Sequence, residues 1–186
     1  ITLLLTVHQL SCSKQLTNFV APNSSPNTLT TRMLYSIVIM CLALTGCSAV
    51  APVTLTTRDK LAFLNAHNTA RKQVNVPDLA WNITLERFSR QYISSCVYKH
   101  SGGPYGENLY VSSPTDVNNT RVAEASVAGW NSEKALVDYP TWKCILTGKC
   151  GHYSQVVWKT TKTVGCAIIN CEPPFNNLVV CEYWPR

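Results

Sequence analysis

Gly151-His152-Tyr153-Ser154-Gln155-Val156-Val157-Trp158 sets a histidine, a hydroxyl and an amide beside an apolar run that ends in tryptophan. Alone, it reads as an ordinary half-buried segment. Its meaning comes from what precedes it. His100 and Glu107 bracket a glycine-rich turn, Ser101-Gly102-Gly103-Pro104-Tyr105-Gly106, and Glu133 lies three residues after Trp130 in a helical stretch. Two imidazoles and two carboxylates, each embedded in apolar and aromatic sequence, predict one polar cluster in an otherwise apolar cleft.

The elements around this cluster follow from periodicity and punctuation. Thr57 is placed to cap a helix from about Arg58 to Val74, with Leu61, Leu64, Ala66 and Asn68 on its inner side. Asn75-Val76-Pro77 ends it, because proline disfavours helix at the preceding residue. A second helix is expected over Thr84 to Cys96, with Leu85, Phe88 and Tyr92 as its contacts, then a short extended segment from Glu107 to Val111. Ser113-Pro114-Thr115-Asp116 carries a cap, a first-turn proline and an acidic residue three after the cap, so a third helix is predicted to run to Glu133. Val122, Ala125, Val127, Ala128 and Trp130 form its expected buried side. Asp138 to Lys149 reads as a loop. Thr163 to Ile169 and Leu178 to Tyr183 read as strands, joined by a turn holding Pro173, Pro174, Asn176 and Asn177. Helices first and strands last predict an α+β domain, with helices covering a small sheet.

The chain has 186 residues, and they divide by composition. Residues 1–32 contain no acidic residue and are expected to be an upstream extension outside the fold. Met33 opens an apolar run that ends in small residues between Gly46 and Ala51, so 33–51 reads as a secretory signal peptide, short for a membrane span. Retention as an anchor and lipidation at Leu44-Thr45-Gly46-Cys47 are the alternatives. Residues 52–186 then form one domain. Of 16 Lys and Arg, Lys14 and Arg32 precede it, leaving 14 against 10 acidic residues, or +4. That mild, scattered charge gives nucleic-acid binding no support.

Nine cysteines split into Cys12, Cys41 and Cys47 before the domain and six within it: Cys96, Cys144, Cys150, Cys166, Cys171 and Cys181. Six in a secreted domain imply three disulfides, with 15 connectivities open to sequence alone. Cys166-x4-Cys171 lacks a second pair to complete a zinc site. Asn82-Ile83-Thr84 and Asn118-Asn119-Thr120 are glycosylation sequons.

These residues resemble the CAP superfamily: cysteine-rich secretory proteins, antigen 5 and pathogenesis-related 1 proteins. Gly151 to Thr161 matches one signature along its length. His100-Ser101 with Gly106-Glu107-Asn108-Leu109 matches a second, and Trp130-x-x-Glu133 a third. The resemblance spans about 58–186 and lies nearest the pathogenesis-related 1 branch. It implies a three-layer α-β-α sandwich with disulfides Cys96–Cys171, Cys144–Cys150 and Cys166–Cys181. It also implies that His100, Glu107, Glu133 and His152 are the family's cavity tetrad. Two features depart from the pattern. Glu182 replaces the usual small or amide residue, and the chain stops at Arg186 where the pattern continues into Gly-Asn, so the C-terminal tail is expected to be truncated.

The chemistry of the tetrad admits several roles. His100 and His152 would hold a weak, exchangeable zinc or other divalent ion, with no cofactor required, since catalytic zinc sites typically have three protein ligands. The same groups are also able to act as general acid and base, or to form a purely structural network. Glu124 competes with Glu133 but lacks the Trp-x-x-Glu context. His67 reads as a packing or capping residue rather than a ligand. Ser154 reads as a hydroxyl satisfied by neighbouring polar groups rather than a nucleophile. By resemblance, the loop bearing Tyr139 and Trp142 is associated with sterol binding. A groove between the first and third helices, lined by Leu61, Leu64 and Val127, is a candidate for a fatty acyl chain. The leading expectation is a secreted, extracellular, monomeric, non-enzymatic binder of sterols or fatty acids, acting in lipid export, defence or as an effector. A metal-dependent protease and an extracellular protein-interaction module are the alternatives.

Overall fold

The computed structural model describes residues 50–112, 116–172 and 176–186. The expected leader (33–51, save its last two residues) and residues 1–32 lie outside them, as do Ser113 to Thr115 and Pro173, Pro174 and Phe175.

The first helix, α1 (Thr57–Gln73), is capped by Thr56, one residue earlier than expected. Asp59 explains the shift. Its amide donates to Thr56 Oγ1 at 3.3 Å and its carboxylate accepts from the Thr56 amide at 2.8 Å, closing a reciprocal capping box. The inner face also differs from expectation. Ala62, Phe63, His67, Ala70 and Arg71 are buried, whereas Leu61 is 49% exposed. A face read from apolar residues alone is rotated, because a histidine and an arginine occupy two of its innermost positions.

β1 (Ala80–Trp81) leads into α2 (Ile83–Ile93), which is capped by Asn82 through the Thr84 and Leu85 amides. Cys96 falls beyond the helix end with φ of 51°, a value helices exclude. β2 (Gly106–Ser112) contains the expected extended segment. α3 (Asn119–Ser132) begins later than the Ser113 signal suggested, with Asn118 accepting from the Arg121 amide as its cap. A short 3₁₀ turn, Glu133–Leu136, follows. The expected loop carries a small ribbon, β3 (Val137–Asp138) against β4 (Lys143–Cys144). α4 (Gly151–Val156) contains the first six signature residues, and β5 (Thr163–Asn170) and β6 (Asn177–Trp184) close the domain. Asn177, read as turn, belongs to β6.

The main sheet has the order β1-β5-β6-β2, parallel between β1 and β5 and antiparallel elsewhere. Both faces are covered. Val164, Cys166, Ile168, Val179, Cys181 and Tyr183 pack with α1 and α3, while Ala167, Ile169, Leu178 and Val180 pack with Ile93 of α2. The result is the α-β-α sandwich, and burial on both faces is why β5 and β6 read as nearly continuous apolar runs. Gly165 makes the α2 contact close: a β-carbon there would lie 2.2 Å from the Glu86 nitrogen. Disulfides join Cys96 to Cys171, Cys144 to Cys150 and Cys166 to Cys181, the pairs the resemblance implies. No helix among the described residues is long and apolar enough to cross a membrane.

Candidate functional site

The four tetrad residues come from four different places, and the structure resolves them into two His–Glu pairs. His100 Nδ1 lies 2.6 Å from Glu107 Oε1, and the Ser101 amide donates to both carboxylate oxygens at 3.0 and 3.1 Å. His152 Nδ1 lies 2.7 Å from Glu133 Oε1, while the His152 and Tyr153 amides donate to Glu133 Oε2 at 2.9 and 3.2 Å. Each carboxylate thus orients an imidazole through Nδ1 and leaves Nε2 as the edge open to a ligand. The ring of Trp130 stacks near His152, with centroids 6.5 Å apart, and its Nε1 donates to the Leu109 carbonyl at 2.8 Å. Trp130-x-x-Glu133 is therefore a packing unit. The indole fixes the end of α3 against β2, and that sets the position of Glu133.

β2 connects the two pairs. Asn108, next to Glu107, donates from Nδ2 to the His152 carbonyl at 3.0 Å and to Tyr183 Oη at 3.2 Å. Tyr183 Oη in turn lies 2.8 Å from His67 Nε2, whose Nδ1 bonds the Phe63 carbonyl. This buried chain runs from α1 to the main chain of His152. Burial holds the His67 pKa down to about 4, so the ring is neutral. It is a packing residue, as expected. Gln155 lies against Gly106, where any β-carbon would meet its side chain at 2.2 Å.

Two residues have roles in the site that sequence reading did not assign. The first is Arg71, fully buried, which donates to four carbonyls: Pro77 at 2.6 Å, Val156 at 2.9 Å, Trp158 at 3.0 Å and Thr161 at 3.0 Å. It clamps the end of α4 and the turn after it. A basic residue in the last turn of a helix ordinarily signals the helix dipole, so the sequence held no sign of this role. The second is Glu182, which lies opposite Glu107 across β6 and β2. Both of its oxygens are buried with no donor. The bond open to it is donation of its own O–H to Glu107. Burial, the hydrogen bond to Glu107 and the charge of Glu107 push its pKa up to about 9. The Glu107 carboxyl is conversely held below its usual range by hydrogen bonds, chiefly from Ser101, which outweigh its burial. An amide at position 182 would donate at any pH, whereas glutamate donates only while protonated. The departure noted in the sequence thus has a physical consequence.

Among the described residues, no group of three or more His, Cys, Asp or Glu side chains is placed to hold a metal ion. His100 and His152 are each oriented through Nδ1 by one glutamate. Ser154 Oγ donates to the Cys150 carbonyl at 2.8 Å, which leaves it no nucleophilic partner, in line with the satisfied-hydroxyl reading.

Tyr139 and Trp142 meet edge to face at 5.4 Å, and Tyr139 Oη lies 3.4 Å from Tyr153 Oη. Trp142 borders a cleft of about 530 Å³ with Val74, Val76, Val137, Tyr153, Val157 and Trp158, edged by Asn75 and Ser154. The acyl groove expected between the first and third helices is not formed by its three named residues. Val127 is fully buried in the core, Leu64 is half-buried against it, and Leu61 faces solvent. α1 and α3 pack directly there. An open cleft of about 870 Å³ lies instead between β2 and α3, lined by Tyr110, Val122, Ala125 and Ala128 and rimmed by Arg121 and Glu124. Ala125 and Ala128, expected in the core, are exposed. Their small size leaves the space.

A disulfide-stapled α-β-α sandwich with two glutamate-oriented histidines defines a class before any comparison is made. The comparisons agree. Residues 64–183 match the cysteine-rich secretory protein (CAP) family, to which the chain belongs. It is 32% identical over 155 residues to pathogenesis-related protein PRMS of Zea mays, covering 81% of this chain and 90% of that one. It is 36% identical over 155 residues to pathogenesis-related protein 1 of Arabidopsis thaliana, covering 81% and 91%. Among solved structures, NaASP2 with Zn²⁺ shares the fold at a TM-score of 0.60 and 24% identity, over 75% of this chain and 83% of that one.

Proposed function

We propose that this pathogenesis-related 1-like CAP protein is a secreted, non-enzymatic carrier of small hydrophobic ligands, sterols foremost. The observation that supports the reading is the cleft under Trp142. Its volume of about 530 Å³ falls within the roughly 300–1,000 Å³ of small-molecule sites. Its walls are valine, tryptophan and tyrosine, and Asn75 and the Tyr153 hydroxyl offer polar anchors for a ligand hydroxyl. Three disulfides suit an oxidising, extracellular setting. The carrier acts as a monomer, with glycans on Asn82 and Asn118.

The test is saturable binding of a fluorescent sterol to the purified, oxidised protein, with zinc or a chelator present. Binding unaffected by chelation and weakened about tenfold by Trp142→Ala is the expected result. No saturable binding of sterol or fatty acid, together with a silent Trp142→Ala, would sink the reading.

The open Nε2 edges of His100 and His152 favour a second property, weak and exchangeable binding of zinc. Calorimetric titration should show binding that His152→Ala removes. The proposal leaves catalysis aside, since among the described residues Ser154 is engaged with the Cys150 carbonyl and His67 with Phe63 and Tyr183.

A further inference from the structure

From β3 to the start of β5, the surface carries an unusual concentration of apolar side chains. Trp142 is 58% exposed, Ile145 62%, Leu146 57% and Trp158 51%. Single exposed apolar residues are normal, but three within five residues of chain, one of them sharing a cleft with the fourth, point to an interaction site. The group is also held in place. Val137 pairs with Cys144, the Ile145 amide donates to the Leu136 carbonyl at 2.8 Å, and the Cys144–Cys150 disulfide closes the segment onto α4. Trp142 and Trp158 border the same cleft, so two of the four exposed side chains lie at its edge.

The charges identify the occupant. Between residues 137 and 162 the chain has Lys143, Lys149, Lys159 and Lys162, all exposed, against one acidic residue, Asp138, which bonds Thr141. A protein core partner would leave four lysines to be neutralised one by one. An anionic bilayer surface neutralises them together and accepts tryptophan, isoleucine and leucine at the headgroup boundary.

We infer that the surface bearing Trp142, Ile145, Leu146 and Trp158, with the exposed Lys143, Lys149 and Lys159 of the same segments, docks reversibly on anionic membranes, placing the Trp142–Trp158 edge of the cleft against the bilayer. This deepens the carrier reading by naming where ligand is exchanged. Its test is separate, because docking is measured on vesicles that contain no sterol.

The purified protein is sedimented with vesicles of phosphatidylcholine, with and without phosphatidylserine. The expected result is binding to the phosphatidylserine vesicles, a blue shift of tryptophan emission, and loss of binding as salt rises. Ile145→Ser with Leu146→Ser should lower partitioning at least about tenfold without changing the thermal midpoint, since both side chains are exposed. Lys143→Gln with Lys149→Gln should abolish the preference for phosphatidylserine. Wild-type protein remaining in solution, or an Ile145/Leu146 variant that binds as wild type, overturns the proposal. So does gel filtration showing a dimer that the same variant splits, because the patch would then meet a second copy. Uptake of sterol from cyclodextrin should persist in the variant while transfer from vesicles fails. If vesicles bind and no sterol is taken up by either route, the carrier reading falls and docking stands.

Discussion

The two His–Glu pairs have nearly equal bond lengths, 2.6 Å at His100–Glu107 and 2.7 Å at His152–Glu133, yet they are held by different physics. Glu133 is satisfied by main-chain amides at the start of α4, in a segment pinned from below by Arg71. The donors that support that carboxylate are main-chain N–H groups, which carry no charge. Glu107 is satisfied by the Ser101 amide, but it faces a second carboxyl, Glu182, which must keep its proton to be tolerated. One pair is therefore backed by main-chain amides and the other by a second carboxyl that holds a proton. A matched motif specifies which groups meet, and the shell behind them decides how they respond to pH.

The sharpest way to break the contrast is at Arg71. Arg71→Met orphans four carbonyls, two of them belonging to Val156 and Trp158 at the end of α4. It should cost on the order of 4 kcal/mol in urea unfolding, and it should shift the His152 resonances while leaving those of His100 nearly unchanged. Equal disturbance of both histidines would mean that the pairs are not independently supported.

A smaller difference is expected between the two carboxylates. Glu133→Ala strands the His152 and Tyr153 amides and should cost about 2–3 kcal/mol. Glu107→Ala strands only the Ser101 amide and also frees Glu182 of its neighbour, so about 1 kcal/mol is expected. Chemical unfolding of both variants under one buffer decides the matter, and equal losses would erase the distinction.

Glu182 supplies the pH dependence. Its folded pKa of about 9 lies above its ordinary 4.5, so between those values the native state binds the additional proton. The contribution to stability is complete below about pH 4.5 and drains away as pH rises toward 9. Glu107, whose pKa is depressed, acts in the opposite sense and only at lower pH. Glu182→Gln should therefore raise the thermal midpoint by an amount that grows from pH 5 to pH 9. A difference that stays constant over that range would show that the carboxyl pair does not share a proton as described.

The least effect belongs to Ser154→Ala. The hydroxyl loses one bond to the Cys150 carbonyl, so stability should fall by about 1 kcal/mol or less, with zinc and sterol binding unchanged. A large loss of either binding would return Ser154 to the functional site.

Much of the fold could be read before the structure. β5 and β6 announce themselves by valine and isoleucine runs, and α2 by the helical spacing of Leu85, Phe88 and Tyr92. The failures are instructive. Leu61 was assigned to the core and Ala125 and Ala128 to a buried face, because an apolar residue at helical spacing looks the same whether it meets a neighbour or a cleft. Ser113-Pro114 carries a strong start signal, yet the cap is Asn118, since competing caps a few residues apart differ by only about 1 kcal/mol.

The sequence by itself singled out His100, Glu107, Glu133 and His152, the six cysteines of the domain and an order of helices before strands, because each lies in a local pattern of spacing and residue type; the disulfide pairing and the α-β-α sandwich came through the resemblance to the CAP family. The face-to-face meeting of Glu107 and Glu182, the clamp of Arg71 on four carbonyls and the mouth of the cleft between Trp142 and Trp158 were decided by tertiary structure. Each depends on strand register or on the approach of segments far apart in the chain. Register and approach come from packing the whole core, and no local stretch encodes that.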